Sequence, residues 1–262
     1  MEIQHDLHIH THFSPCGSPA ATPEAYIEAA NACGVKVFGF CDHVWDTAVS
    51  PAPNGFYEGQ DIEHIMGLTL PKKSGCRFLR GCEADMNKKG VFGLSAEGAA
   101  KFDYVLATHS HSQHEAMIDS ATRHDTKKLA NALCNRFSQL IESSANQMIT
   151  AIAHPFFPSG NKDNFDEVLF RISDAKLEDL FADANYHNIA LEINASAFKS
   201  YPLRSMHRSE LFRIYETAVE CGCKFVFGTD CHDPAEYAVL HERLRILVSL
   251  LDITEKNLVI QN

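Results

Sequence analysis

Seven short runs rich in Val, Ile, Leu or Phe punctuate the chain, at 3–9, 35–41, 77–83, 104–108, 149–153, 189–194 and 224–229. Runs of this kind suit strands covered on both faces. Helical patterns separate most of them. Thr22 and Pro23 open the first with a capping hydroxyl and a proline at the first helical position, and Gly34 closes it. Segment 126–147 reads as a long amphipathic helix and 208–221 as another, closed by Gly222. Thr254 is placed to cap a short last helix. There is no internal repeat, low-complexity tract or linker. The alternation predicts one α/β domain over residues 1–262, as a (βα) barrel or a doubly wound sheet. The strand count favours a seven-stranded barrel, although periodicity does not reveal closure.

Composition adds limits. Hydrophobic residues make up 45% and charged residues 22%, which is ordinary for a globular domain. No apolar run approaches the roughly 20 residues that span a bilayer. The opening MEIQHDLHIH lacks the basic and apolar regions of a signal peptide, so a cytoplasmic protein is expected. Nine cysteines include no CxxC pair, which disfavours a zinc ribbon and suits reduced thiols. The net charge of −11 disfavours a nucleic-acid partner beyond short substrates. Three divalent cations would bring that charge to about −5, so part of the acidity can serve metal binding.

Histidine changes the picture. Fifteen are present, and many fall directly after the apolar runs. The runs end in Asp6-Leu7-His8-Ile9-His10, Cys41-Asp42-His43, Gly81-Cys82-Glu83, Thr108-His109-Ser110-His111, Ala153-His154-Pro155, Glu192-Ile193-Asn194 and Thr229-Asp230-Cys231-His232. A parallel barrel gathers such ends at one face. His8 and His10, two apart, share a side of an extended strand, as do Asp230 and His232. Imidazoles and carboxylates are ligands for zinc, manganese or iron, and there are too many here for one ion. Two or three metals sharing a bridging carboxylate, Glu83 or Asp230, are expected. Asp6 and Asp42 read as acceptors orienting imidazoles, and Glu192 as a buried partner of an arginine or lysine. Cys41, Cys82 and Cys231 are expected to face away into packing. His5, His12, His64, His114, His124, His187, His207 and His241 read as ordinary hydrogen-bonded residues.

The ordered set DLHIHTHFSPCG, CDH, GCEAD, ATHSH, AHP, EINASAF and GTDCH resembles the polymerase-and-histidinol-phosphatase (PHP) family, nearest its stand-alone phosphatase branch. The match runs from Asp6 to His232. The resemblance implies a distorted seven-stranded TIM-like barrel with a trinuclear metal site. Carried over by motif, His8, His10, Glu83 and Asp230 hold one ion. Glu83 bridges to a second, held by His109 and His154. His43 and His232 hold a third, at which the family usually places an aspartate or histidine; here that position is Cys16. A cysteine ligand favours zinc over harder ions; the alternative is a weak or empty third site. His109 and His111 both lie near the fourth-strand position, with His109 favoured as ligand and His111 placed near the substrate.

The activity so implied is hydrolysis of a small phosphomonoester, of the histidinol-phosphatase kind, by a metal-bridging hydroxide. His43, His232, Asp230 and Glu83 are the catalytic candidates, and zinc the leading metal with iron or manganese as alternatives. A phosphate also calls for cationic partners, and Arg204, then Lys199, follow EINASAF in a loop. Segment 44–60, with the only tryptophan, reads as a lid or as packing cover. The competing readings are a PHP-type phosphodiesterase or 3′-exonuclease, a non-catalytic metal-binding domain and a zinc amidohydrolase. Oligomeric state stays open.

Overall fold

Strands form at all seven apolar runs. In chain order the elements are β1 (His5–Ile9), α1 (Pro23–Cys33), β2 (Val37–Val44), α2 (Ile62–Met66), β3 (Arg77–Asp85), α3 (Ala96–Ala99), β4 (Tyr104–Thr108), α4 (Ser120–Arg123), α5 (Thr126–Glu142), β5 (Ala151–Ile152), α6 (Phe165–Phe170), α7 (Asp174–Tyr186), β6 (Ala190–Asn194), α8 (Glu210–Glu220), β7 (Phe225–Gly228) and α9 (Tyr237–Leu250). The computed structural model describes residues 1–72, 75–160 and 164–259. The strands pair in parallel in the order β1 to β7. The chain beyond β7 returns to β1: Asp230 N donates to His8 O at 2.7 Å, and His10 N to Cys231 O at 2.9 Å. The sheet thereby closes nearly into a barrel, with every strand's C-terminal end at one mouth.

Two apolar layers hold it. Inside the barrel lie Leu7, Cys41, Leu79, Tyr104, Leu106 and Val226 with smaller neighbours. Outside, the helices cover the strands through a larger core that includes Phe38, Phe40, Phe137, Phe181 and Leu244. Helix α5 illustrates the local rules. Asp125 caps it by accepting from Lys127 N and Lys128 N, and Leu129, Leu133, Phe137, Leu140 and Ile141 bury its inner stripe. It stops at Glu142 rather than continuing to 147, because Ser143 turns extended and caps a 3-10 turn over Ser144–Gln147. Thr254 likewise opens a 3-10 turn, Glu255–Asn257.

Two departures bear on the mouth of the barrel. Strands β2 and β3 run further than their apolar cores, to Val44 and Asp85, carrying His43 and Glu83 within regular pairing. In β1 the register shifts between Asp6 and Ile9 against Phe38 and Phe40, so one residue is inserted. Leu7 therefore lies in the inner cluster while its neighbour His8 also reaches the mouth. Cys82 and Cys231 pack outward as expected, but Cys41 belongs to the inner layer. It precedes His43 by two residues, so strand alternation puts both on the same side.

Tyr104 fills the floor of the barrel and donates to Leu7 O at 2.6 Å. Its ring occupies space that only glycine leaves free: a methyl on Gly81 would lie 2.1 Å from Tyr104 Cζ. Gly81→Ala is expected to cost about 1–3 kcal/mol of stability by overpacking. The urea midpoint measures it; an unchanged midpoint would mean the floor is not tightly filled.

Candidate metal centre

Glu83 stands at the centre of the mouth, 1% exposed. Its Oε2 lies 3.4 Å from His8 Nε2, 3.4 Å from His10 Nε2 and 3.2 Å from His43 Nδ1. Its Oε1 lies 2.9 Å from His154 Nε2 and 3.4 Å from His111 Nε2. Asp230 approaches from beyond β7, with Oδ1 3.7 Å from His8 Nε2, 3.3 Å from His10 Nε2 and 3.5 Å from His232 Nδ1. Cys16, His10 and His232 each offer a ligand atom within 4.8 Å of the others. The rings of His10 and His232 stack at 4.3 Å. Two of these residues sit in left-handed backbone, His154 at φ 27° and Asp230 at φ 53°. Strain of this kind in non-glycine residues concentrates where a site demands it.

Outer contacts fix the imidazoles. Glu192 Oε1 takes the Nδ1 proton of His8 at 2.8 Å, and its Oε2 accepts from His154 N at 2.6 Å. Glu192 thus partners His8 rather than an arginine or lysine. Gly228 permits the approach, since a methyl there would fall 1.8 Å from Glu192 Oε1. Asp85 Oδ2 takes the Nδ1 proton of His111 at 2.9 Å. Ser14 Oγ meets His10 Nδ1 at 3.2 Å, and Ser110 Oγ meets His154 Nδ1 at 3.0 Å. Asp6 and Asp42 orient backbone instead of imidazoles. Asp6 accepts from His8 N and from both Thr229 N and Oγ1; Asp42 accepts from Thr11 N and Oγ1.

The donor set fits divalent cations. His8 Nε2 and His10 Nε2 face each other at 3.1 Å beside the Glu83 and Asp230 carboxylates, so positive charge, as a proton or a metal ion, is drawn to the space between them. Buried His43 Nδ1, although 3.2 Å from Glu83, makes no hydrogen bond. Burial opposes charge on His8, but Glu192, Glu83 and Asp230 outweigh it and raise its pKa well above the ordinary value. Burial likewise opposes ionising Glu83, and His43, His8 and His111 hold its pKa well below the carboxylate range. Burial also works against the Cys16 thiolate, yet His10 and His43 bring the thiol down to about 3. A thiolate is the form that binds metal.

The structure separates the two fourth-strand histidines. His109 is fully buried outside the cluster, its ring edge-on to Phe137 and Phe156 at 5.5 and 5.1 Å. Its Nε2 accepts from Phe156 N at 3.3 Å. Burial and neighbouring Arg136 hold its pKa well below the usual value, so it stays neutral. Beyond the end of β4 at Thr108 the chain turns, and His111 is the histidine that reaches Glu83 and His154. Arg136 pins this turn, donating to His109 O at 2.7 Å, Met117 O at 3.0 Å, Asn87 O at 3.2 Å and Met86 O.

A cavity of about 280 Å³ opens over the cluster, lined by His10, Cys16, His43, Glu83, His111, Asp230 and His232, with Phe56, Gln113, His114 and Ser159. It shares Gln113, Ser159 and His232 with a cavity of about 700 Å³ that Phe157, Phe165, Ser196, Lys199 and Ser200 complete. Lys199 reaches only this larger space, and its Nζ pairs with Glu236 at 2.7 Å. Arg204 is exposed and lines neither cavity. His114, read from the sequence as an ordinary loop residue, lines the smaller one.

Comparison with known proteins gives a concordant picture. The PHP domain family model matches residues 6–196. A probable phosphatase of Shewanella frigidimarina is 28% identical over 233 residues, covering 88% of this chain and 79% of the relative. One from Shewanella piezotolerans is 28% identical over 236 residues, with the same coverage. Histidinol phosphate phosphatase from Lactococcus lactis, solved with zinc, L-histidinol and phosphate, superposes with a TM-score of 0.63 over 96% of this chain and 94% of that one. At 15% identity, that likeness speaks for the fold.

Alanine at the two fourth-strand histidines separates them. His111→Ala is expected to lose about one equivalent of bound metal, because a ligand and its share of Glu83 go together. His109→Ala is expected to keep the wild-type content while losing stability from its aromatic slot. Elemental analysis after desalting decides; equal metal contents would refute the reassignment.

Proposed function

The chain belongs to the PHP domain family, and on that premise we propose that it is a metal-dependent phosphatase acting on a small phosphomonoester. The observation that carries this reading is the buried Glu83 carboxylate, with three imidazoles at one oxygen and two at the other. In this reading His8, His10, Glu83 and Asp230 hold one ion, Glu83, His111 and His154 a second, and Cys16, His43 and His232 a third. Bound there, divalent ions supply Lewis acidity, which makes water nucleophilic near neutral pH and neutralises charge on the phosphoryl oxygens.

The chain's own residues define the rest. Neither lysine nor arginine lines the smaller cavity among the described residues, so a phosphate in it meets imidazoles and the Gln113 and Ser159 side chains. His232 borders both cavities, where the ester oxygen would join phosphate to alcohol. Its Nδ1 donates to Asp230 O at 2.9 Å, which leaves Nε2 as the nitrogen that would serve as a metal ligand. The alcohol would extend past Lys199 into the larger cavity. Phe56 and His114 flank the smaller cavity elsewhere, and its lining overlaps that of one larger neighbour. The histidinol phosphate of the Lactococcus lactis protein is one candidate within this class.

Phosphate release from a panel of monoesters and diesters tests the reading. Turnover of at least one monoester is expected, lost on chelation and restored by added zinc, iron or manganese. Protein that holds its metal yet cleaves neither class would support a non-catalytic metal-binding domain, and cleavage confined to diesters would support the nuclease alternative. The third position has its own test. Cobalt-loaded protein is expected to show a near-ultraviolet thiolate charge-transfer band that disappears in Cys16→Ser. No difference between the two spectra would remove Cys16 from the ligand set.

A further inference from the structure

The 44–60 segment does more than cover the mouth. Tyr57 is 1% exposed, and its hydroxyl donates to Asp85 Oδ2. The same oxygen accepts the Nδ1 proton of His111, whose Nε2 stands 3.4 Å from Glu83 Oε1. Asp85 is fully buried, and its other oxygen, Oδ1, has no partner. A buried carboxylate needs its hydrogen bonds. Both of those that Asp85 receives fall on one oxygen, and one of the two comes from this loop.

Packing gives the loop a defined seat. Trp45, Tyr57 and Met117 form an apolar cluster separate from the barrel core, with Ala52 and Phe56 against it. The Trp45 and Tyr57 rings lie 5.7 Å apart. Next to Tyr57, Phe56 sets its ring edge-on to His43 at 4.9 Å and tilted against His114 at 4.7 Å. Tyr57 N donates to Asn54 O at 3.2 Å, and Trp45 Nε1 to Ser50 O at 3.1 Å, so short turns hold both rings.

We infer that Tyr57 is a positioning residue for His111, acting through Asp85, and that it ties the seating of the 44–60 loop to metal occupancy at the Glu83–His111–His154 group. The inference rests on the metal centre proposed above. Hydrogen-bond partners of a ligand imidazole fix its tautomer and its aim. Tyr57 and His111 converge on one oxygen, so displacing the tyrosine hydroxyl frees the carboxylate to rotate and loosens the imidazole. Coupling of this kind is reciprocal: metal at the group must also favour the seated loop.

Metal binding measured against a competing chelator, with the wild type and three variants, tests this. Tyr57→Phe keeps the ring and its packing and removes only the hydroxyl. It is expected to weaken about one equivalent of zinc by roughly tenfold and leave the rest unchanged. Asp85→Asn should weaken the same equivalent at least as much, and the double variant no more than Asp85→Asn alone, because both act along one path. The single tryptophan gives a second readout. Zinc added to the metal-free wild type should shift Trp45 emission, and in Tyr57→Phe the shift should be reduced. Unchanged affinity in Tyr57→Phe, or losses that add in the double variant, would overturn the inference. A wild-type chain that binds no metal would overturn the metal reading and this inference with it, a result visible before any variant is made.

Discussion

Everything at the mouth of this barrel follows from burying the Glu83 carboxylate almost completely. An isolated buried carboxylate is costly enough that it would take up a proton. Glu83 stays ionised because imidazoles meet both of its oxygens, and each of those is held in turn. Glu192 fixes His8, Asp85 fixes His111, Ser14 meets His10 and Ser110 meets His154. Imidazoles and carboxylates crowded together in this way are a donor set that suits a cluster of divalent cations. It also makes sense of the left-handed backbone at His154 and Asp230, which holds donors where an unstrained chain would not.

Much of this was legible in the sequence, for a physical reason. A strand buried on both faces must be apolar, so the point where its polar residues begin marks the barrel mouth. The tails of the seven runs contain His8, His10, His43, Glu83, His154, Asp230 and His232, and the fold brings them together. What stayed hidden depends on local departures from regular geometry. The inserted residue in β1 lets both Leu7 and His8 face inward, which no period-two pattern conveys. Where His109 and His111 fall turns on how the chain leaves β4, a turn that Arg136 holds by reaching from α5 to four carbonyls. Asp85 had a signal, since it follows Glu83 by two residues and shares its side of β3. Tyr57 had none, because its partner lies 28 residues away across a loop without periodicity.

The cationic partners expected for a phosphate illustrate another limit. A dianion in water attracts guanidinium and ammonium groups, which is why Arg204 and Lys199 stand out in the sequence. Lys199 is already paired with Glu236, and the exposed Arg204 lines neither cavity. If the charge of a phosphate is met by metal ions, a lysine or arginine at the same oxygens is not required. The absence of such side chains from the smaller cavity, among the described residues, thus agrees with the acidity of the whole chain.

That division of labour leaves affinity for the substrate and precision of its alignment to different groups. Metal ions would hold the phosphoryl group by charge, which falls off slowly with distance and tolerates small displacements. Alignment for in-line attack does not tolerate them, since a misplacement of an ångström lowers rates by orders of magnitude. The burden therefore falls on what aims the ligand imidazoles: one carboxylate from β6, one from the end of β3, and a tyrosine from the loop over the mouth. Two of the three lie in the strand framework and are as rigid as the barrel. The third sits on a loop, packed by its own small apolar cluster and beside the ring of His43. On the inference drawn above, the site is fully assembled only when that loop is seated.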